Sequence, residues 1–361
     1  MLRVALLRDF DEARLFGVRL YAKRLRQALA GRCEIVEIHP WPRSAAGPAA
    51  LRALQTLLVK EIVYPLAARR VRADVAHVVD QSHANLVRSL AGCATVVTCH
   101  DLWGLRHGSV LRRALYRRRV LDLRRATRVV AVSGAGRADI VRLGVQASRT
   151  IVVRNRVDPF FVDRPAAAEI DAATALFQVQ PRSFFLHVGN SLAYKNIEGL
   201  LRGLGELGRL QRRTPRLVKV GARLTARQRR LALEQQVAVR WLGEVSPVEL
   251  RALYHLAASL VYPSFDEGFG WPVAEALVCG LPVVAGRSGA LPEVAGDAAL
   301  LVDPQAPSEL VAALVRLTED PALRDELCAR GRARAGWLTG GDVGAEMLDV
   351  YAAASAERRS T

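Results

Sequence analysis

The 361-residue chain is 51% hydrophobic and carries a formal net charge of +17, enough apolar surface for two domain-sized cores and too much for a disordered or fibrous protein. No run approaches the roughly 18–20 apolar residues of a spanning helix, and MLRVALLRDF turns charged too early for a secretory signal, which predicts a cytoplasmic protein. Residues 1–165 hold 30 Lys+Arg against 13 Asp+Glu while the remainder holds 22 of each, so the whole charge excess falls in the first half.

Short Val/Ile-rich runs alternate with longer amphipathic segments. RVALLR, the helical FGVRLYAKRLRQALAG, then CEIVEIH, ADVAHVV, ATVVTCH, TRVVAVS and TIVVRN make up the first half. Strands alternating with helices predict right-handed βαβ units and a parallel sheet covered on both faces. Asp9 and Asp11, just after the first strand, have the spacing of a metal-binding acidic pair, but they read as a surface turn and no metal site is expected. Gly17 follows, where backbone can approach a ligand. Leu111 to Arg128 reads as one helix with arginines at 112, 113, 117, 118, 119, 124, 125 and 128, Arg106 just before it, and an apolar face of Leu111, Leu115, Leu121 and Tyr116. Ser133-Gly134-Ala135-Gly136 imitates a dinucleotide loop, but Asp139 stands where the third glycine belongs, which excludes nicotinamide binding. Five scattered cysteines without a CxxC pair read as small buried hydrophobes in a reducing compartment.

Strand-like periodicity lapses over 158–180, where a domain seam is expected. FFLHVGN, RLVKVGA, VRWLG, ASLVYPS and LPVVAG then repeat the alternation, giving a second doubly wound domain. In open parallel sheets ligands lie beyond the carboxyl ends of the strands. After strand LVYPS comes a loop with Gly268 and Gly270 flanking Phe269. Pro272 suits the first helical position, Gly280 the stop, and Pro282 forbids continuation. The N–H groups near Val273 and Ala274 would form an anion site suited to a diphosphate. Glu267 and Glu275 frame it. Sugar and ribose hydroxyls are natural partners for two such carboxylates; taken singly, they also read as a solvated loop residue and a helix-dipole complement.

The stretch Glu267-GFGWPVA-Glu275 resembles the E-x7-E signature of glycosyltransferase family 4. The similarity continues through LPEVAGDAALLVDP and WLGEVSPVELRALYHLAA, and more weakly through VVTCHDL, RVVAVS and VVRNRVD. The resemblance implies an α/β GT-B fold, two Rossmann-like domains facing each other across a cleft: an acceptor-binding domain at 1–165, a nucleotide-sugar-binding domain at 175–340, and a terminal helix at 342–358 crossing back. It implies a retaining hexosyl transfer from a nucleotide-diphosphate sugar; with Asp9 and Asp11 discounted, no metal or other cofactor is expected. Mannosyltransferase-like flanks point to GDP-mannose as donor, and the acceptor would be a glycan or lipid-linked sugar of bacterial surface polysaccharide.

Departing diphosphate requires positive charge. The resemblance gives that role to Lys195 in FLHVGNSLAYKN, otherwise an exposed helix-start lysine. Where relatives often carry a nearby arginine this chain has Asn190 and Tyr194, so Arg223 and Arg287 stand as candidates for a second cation or as solvated side chains. His100 and Asp101 follow a strand and resemble the family's cleft-facing pair, His100 donating to a sugar hydroxyl; a loop-capping pair is the other reading. The catalytic set is then Glu267, His100 and Lys195, with Gly268, Phe269, Gly270, Val273, Ala274, Glu275 and Arg223 around the nucleotide sugar. A GT-B sugar phosphorylase or nucleotide-sugar hydrolase is the alternative among enzymes. Outside enzymes the alternative is a nucleic-acid-binding protein, which Tyr116 as the lone aromatic of RRALYRRRVLDLRRATR disfavours. The basic first half instead suggests docking on an anionic membrane.

Overall fold

The computed structural model describes residues 1–9, 16–40 and 49–359. Two compact units divide the chain: residues 1–155 with 341–361, and residues 156–340. The division falls earlier than the stretch 158–180. Residues 156–165 join the second unit, where Val157 N–H bonds the Leu338 carbonyl at 2.9 Å and Phe161 packs edge-on against Tyr254. Ala-rich 167–177, which obscured the seam, is a helix whose Glu169 holds the buried Arg251 at 2.8 Å.

In the first unit six strands, β1 (Arg3–Leu7), β2 (Glu34–Ile38), β3 (Val75–Val78), β4 (Ala94–Cys99), β5 (Arg128–Ala131) and β6 (Thr150–Val152), form a parallel sheet in the order β2-β1-β3-β4-β5-β6. Their side chains alternate between two cores. Val4, Leu6, Val75, Val96 and Val130 pack on Tyr21, Leu25 and Leu29 of helix Phe16–Leu29 and on Met347, Val350 and Tyr351 of helix Val343–Arg359. Each fully buried apolar side chain of this size contributes about 1.5–3 kcal/mol, so the terminal helix is integral to this unit. A buried polar chain fixes its register: Tyr351 OH to His77 Nδ1 (2.7 Å), His77 Nε2 to Thr98 Oγ1 (2.8 Å), Thr98 to Tyr21 OH (2.9 Å). Burial, and then His100, pull His77 down to about 3, so the ring stays neutral.

The second unit holds β7 (Phe185–Gly189), β8 (Arg216–Gly221), β9 (Ala238–Gly243), β10 (Ser259–Tyr262), β11 (Val283–Gly286) and β12 (Leu300–Val302), again all parallel, ordered β12-β11-β10-β7-β8-β9. The three-residue β12 is an edge strand that pattern reading passed over. Phe185, Leu217, Val261, Val284 and Val302 pack on Leu200, Leu201 and Leu204 of helix Ile197–Gln211 and on Leu310, Leu314 and Leu317 of helix Pro307–Glu319. Because β8 and β9 extend the sheet from one side of β7 and β10 to β12 from the other, the direction of winding reverses between β7 and β10. That reversal opens a crevice at their carboxyl ends.

The basic segment 111–128 is not one helix. An α-helix spans Val110–Val120, a 3-10 turn follows at Leu121–Arg125, and Arg128 already begins β5. All five cysteines are free thiols, four of them buried. No described helix is long and apolar enough to cross a membrane.

Candidate functional site

Two turns meet at the crevice of the second unit. After β7 the chain makes an Asx turn, Asn190 Oδ1 accepting from Leu192 N–H at 3.1 Å, and then the 3-10 turn Ala193–Lys195. Asn196, in the left-handed region at φ 52°, starts the next helix by accepting from Gly199 N–H at 3.2 Å. The loop after β10 is laced to this turn by Phe265 N–H donating to the Tyr194 carbonyl at 2.7 Å.

Lys195 and Glu267 are thereby brought together. The Lys195 ammonium donates to Glu267 Oε1 at 2.7 Å and to the Tyr262 hydroxyl, and lies 4.7 Å from the ring centres of Tyr194 and Tyr262. Burial opposes the Lys195 charge most strongly, yet Glu267 and the two tyrosines outweigh it and hold the ammonium well above the usual lysine range. Burial first, then Glu267, push the Tyr262 hydroxyl up, so it remains protonated. A permanent cation and a carboxylate thus share a largely buried pair, where low dielectric strengthens their fields.

A third loop backs this pair. Ala290 N–H donates to the Glu267 carbonyl at 2.8 Å and Ser288 Oγ to the Ser264 carbonyl at 2.6 Å. Gly289 makes the approach possible: at φ +53°, a Cβ there would lie 2.3 Å from the Glu267 carbonyl oxygen. Gly289→Ala is therefore expected to cost on the order of 2 kcal/mol of stability by displacing Glu267. Urea denaturation would measure the loss, and an unchanged midpoint would contradict this packing.

Several expectations need correction. Trp271, not Pro272, is the first residue of helix Trp271–Val278, although the helix does end before Gly280, at φ 71°. The N–H groups of Val273 and Ala274 are turned onto the Gly270 carbonyl at 3.0 and 3.1 Å and are not presented to an anion. They stand three and four residues past the N-cap Gly270, whose carbonyl accepts the first intrahelical bonds as in any α-helix. Phe269, Val273 and Ala274 are buried; of the loop, Phe265, Glu267 and Gly268 reach solvent. Glu275 is the fifth helical residue, beyond the first turn, and its buried carboxylate accepts from the Tyr254 hydroxyl at 3.0 Å. Arg223 is exposed and stacks on Trp241 at 5.3 Å, whereas Arg287 ties β11 to β12 through the Leu301 carbonyl at 2.8 Å and to Glu309 at 3.4 Å.

In the first unit, His100 lies at the carboxyl end of β4. Its Nε2 bonds the Val79 carbonyl at 2.9 Å and its ring meets Tyr21 edge-on. Burial above all pulls it below the usual histidine range against the pull of Asp80, so the neutral ring keeps its proton on Nε2. The nitrogen left for a ligand, Nδ1, accepts a hydrogen bond; the expected donation to a sugar hydroxyl is reversed. Asp101 Oδ1 caps the next turn through Trp103 N–H at 3.1 Å. Asp9, expected on a surface turn, is buried against His83 at 2.6 Å and Lys60 at 3.9 Å; Asp11 lies outside the described residues. Burial first, then Lys60, keep His83 below its ordinary value despite Asp9. Ser133 caps helix Gly134–Arg142 through Gly136 N–H at 3.0 Å, and Gly17 sits exposed in the first turn of helix Phe16–Leu29.

Two six-stranded parallel sheets with a buried cation–carboxylate pair at the crevice of the second define an α/β protein with a buried polar cluster at a strand switch point. Residues 1–156 match the glycosyl transferase 4-like domain family and residues 174–334 the glycosyl transferases group 1 family. The chain belongs to the family 4 glycosyltransferases and has the GT-B fold. It is 31% identical to the O-antigen chain mannosyltransferase B of Escherichia coli over 62% of its own length and 60% of that relative's. Among solved structures, the sucrose-phosphate synthase of Thermosynechococcus elongatus superposes with a TM-score of 0.77 at 21% identity, covering 98% of both chains. Anabaena HepE in complex with UDP and glucose does so with 0.74 at 17%, covering 98% of this chain and all of that one.

Proposed function

We propose that this glycosyltransferase moves a hexose, with retention and without metal, from a nucleotide-diphosphate sugar to a glycan or lipid-linked acceptor in bacterial surface-polysaccharide assembly. The Lys195–Glu267 pair carries the reading. A lysine held charged at the crevice is suited to the negative charge that collects on a departing diphosphate, the task a metal performs elsewhere. Glu267, fixed by Lys195 and the Gly289 turn, is suited to hydroxyls or developing cationic character of the donor sugar. It assists electrostatically, and a phosphate oxygen of the leaving group takes the acceptor proton. Glu275, braced by Tyr254, is the candidate for ribose hydroxyls, and His100 Nδ1 for a sugar hydroxyl. The O-antigen mannosyltransferase among the relatives supports GDP-mannose as the first donor to try.

The first unit supports an anionic membrane surface as the place of work. Leu51, Leu54, Leu58, Ile62 and Leu66, spaced three or four apart along consecutive helical segments, are all exposed. Arg119 joins helix Val110–Val120 to that segment through Glu61 at 2.6 Å, setting exposed Val110, Leu111, Arg112, Arg117 and Arg118 on a neighbouring helix.

A thermal-shift and hydrolysis panel of GDP-mannose, UDP-glucose, UDP-galactose and dTDP-rhamnose in EDTA tests the donor reading. One nucleotide sugar should raise the melting temperature without metal, and an oligonucleotide should not. A strict requirement for Mg²⁺ or Mn²⁺ would overturn the metal-free part. Phosphate-dependent release of sugar would favour a phosphorylase.

A further inference from the structure

Lys219 is a lysine where a parallel strand should be apolar. It lies in β8, fully buried, directly across from His187 of β7. Its ammonium reaches the carboxyl ends of both strands, donating to the Gly189 carbonyl at 2.5 Å and the Val220 carbonyl at 2.8 Å. Gly189 is where the chain leaves β7 for the Lys195 turn. Ala222 N–H bonds the same carbonyl at 3.1 Å, and a Cβ on Gly221 would stand 2.6 Å from it, so strand ends and amine form one close-packed unit.

No carboxylate among the described residues pairs with Lys219, and His187 beside it has no hydrogen bond at either ring nitrogen. The charged and titratable groups facing this corner are His187 of β7, Lys195 of the following turn, and Tyr262 with Glu267 after β10; Trp241, the β9 neighbour, carries no charge. Glu267 is already taken by Lys195. The corner therefore holds more basic groups than acidic ones, buried, under the crevice where the proposed diphosphate arrives. Two carbonyl acceptors are satisfied equally by an amine, which has two N–H groups, or by an ammonium, which has three. The packing accommodates either state.

We infer that Lys219 is the second cation of the diphosphate site, only partly charged in the empty protein and fully protonated when the donor arrives. It acts through the Gly189 turn and through its field, as a positioning residue without contact to the donor. This rests on the donor reading above. Burial, and then the Lys195 charge, pull Lys219 down to about 7. Burial chiefly holds His187 well below its ordinary value, while Lys195 stays well above, so of these three bases Lys219 is the one that loses its proton across about pH 6 to 9. Phosphate charge brought close raises the amine again, and binding then takes up a proton.

Calorimetric titration with UDP and with GDP, in two buffers of different ionisation enthalpy over that range, measures the uptake directly. For whichever nucleotide binds, wild-type affinity should weaken about tenfold in all across that range, with uptake peaking at about 0.6 proton between its two ends. Lys219→Met should bind about tenfold more weakly at pH 7, with a flat profile and no uptake; Lys219→Arg, always charged, should restore affinity with a flat profile. A pH-independent wild type with no proton uptake overturns the inference whether or not the variants fold, and leaves the donor reading standing. Binding of neither nucleotide at any pH removes the donor reading and this inference with it.

Discussion

Glu267→Gln and Lys195→Ala are each expected to lower the transfer rate at least about a hundredfold, as when a charge acting mainly in the transition state is removed. Gln keeps the shape of Glu267 and can still contact Lys195, so its loss reports charge and not packing. Lys195→Ala is harsher, because it strands a carboxylate that is only 9% exposed and also removes the partner of the Tyr262 hydroxyl. Such stranding costs about 3–5 kcal/mol in a buried pair, so circular dichroism and a melting curve must accompany the kinetics. The double variant should be less impaired than the product of the singles, since the two side chains share one interaction. The steady-state constants separate the roles. Lys195→Ala should raise the donor KM and lower kcat, whereas Glu267→Gln should act mainly on kcat. Near-wild-type turnover in a folded variant would remove that residue from the chemistry.

Replacing Arg112, Arg117 and Arg118 together with Ser should weaken binding to anionic liposomes about a hundredfold at low salt, at about 1 kcal/mol per basic residue near the headgroups. Arg119 is left alone: it belongs to Glu61 at 2.6 Å, and Arg124, Arg125 and Arg128 are likewise engaged, with the Leu143 carbonyl, Asp122 and Glu357. Binding should fall with salt in wild type and much less in the variant. A Leu54→Ser, Leu58→Ser, Ile62→Ser variant should lose the salt-resistant remainder, which comes from apolar insertion. Nucleotide binding should be unchanged in both. Wild-type protein that stays in the supernatant when anionic liposomes are pelleted at low salt would sink the membrane proposal and leave the donor site untouched.

Both sheets were legible in the sequence because parallel strands buried on both faces are near-continuous apolar runs, as in β4 and β11, while the more exposed β2 and β9 showed as mixed runs between helical segments. β12 did not, being three residues long at an edge. The Lys195–Glu267 pair was legible only as two separate motifs, each following a strand. Their contact depends on β7 and β10 being neighbours, a fact of winding order that residues 72 positions apart do not display. The tyrosines were missed for a different reason: Tyr262 ends an apolar strand and Tyr254 lies within a helix, and each reads as core until its hydroxyl is seen on Lys195 or Glu275. Lys219 did carry a signal. A single charge inside RLVKVG is costly in a parallel strand and asks for a compensating partner. The anion site at Val273 and Ala274 failed because the helix starts at Trp271, which puts these two N–H groups where the first turn bonds them to the N-cap carbonyl of Gly270.

The assignment of helix Val343–Arg359 to the first unit bears on the order in which the molecule can be made. Residues 156–340 are one uninterrupted piece of chain, whereas the first unit is assembled from its two ends. On a ribosome the later-starting unit can close while the earlier one still exposes the face that Met347, Val350, Tyr351 and Ala354 will cover. Until those residues emerge, His77 has no Tyr351 to bond and the apolar side chains of helix Phe16–Leu29 remain partly open. The unit that starts earlier is thus finished later, and loss of helix Val343–Arg359 damages the sheet that β1 opens.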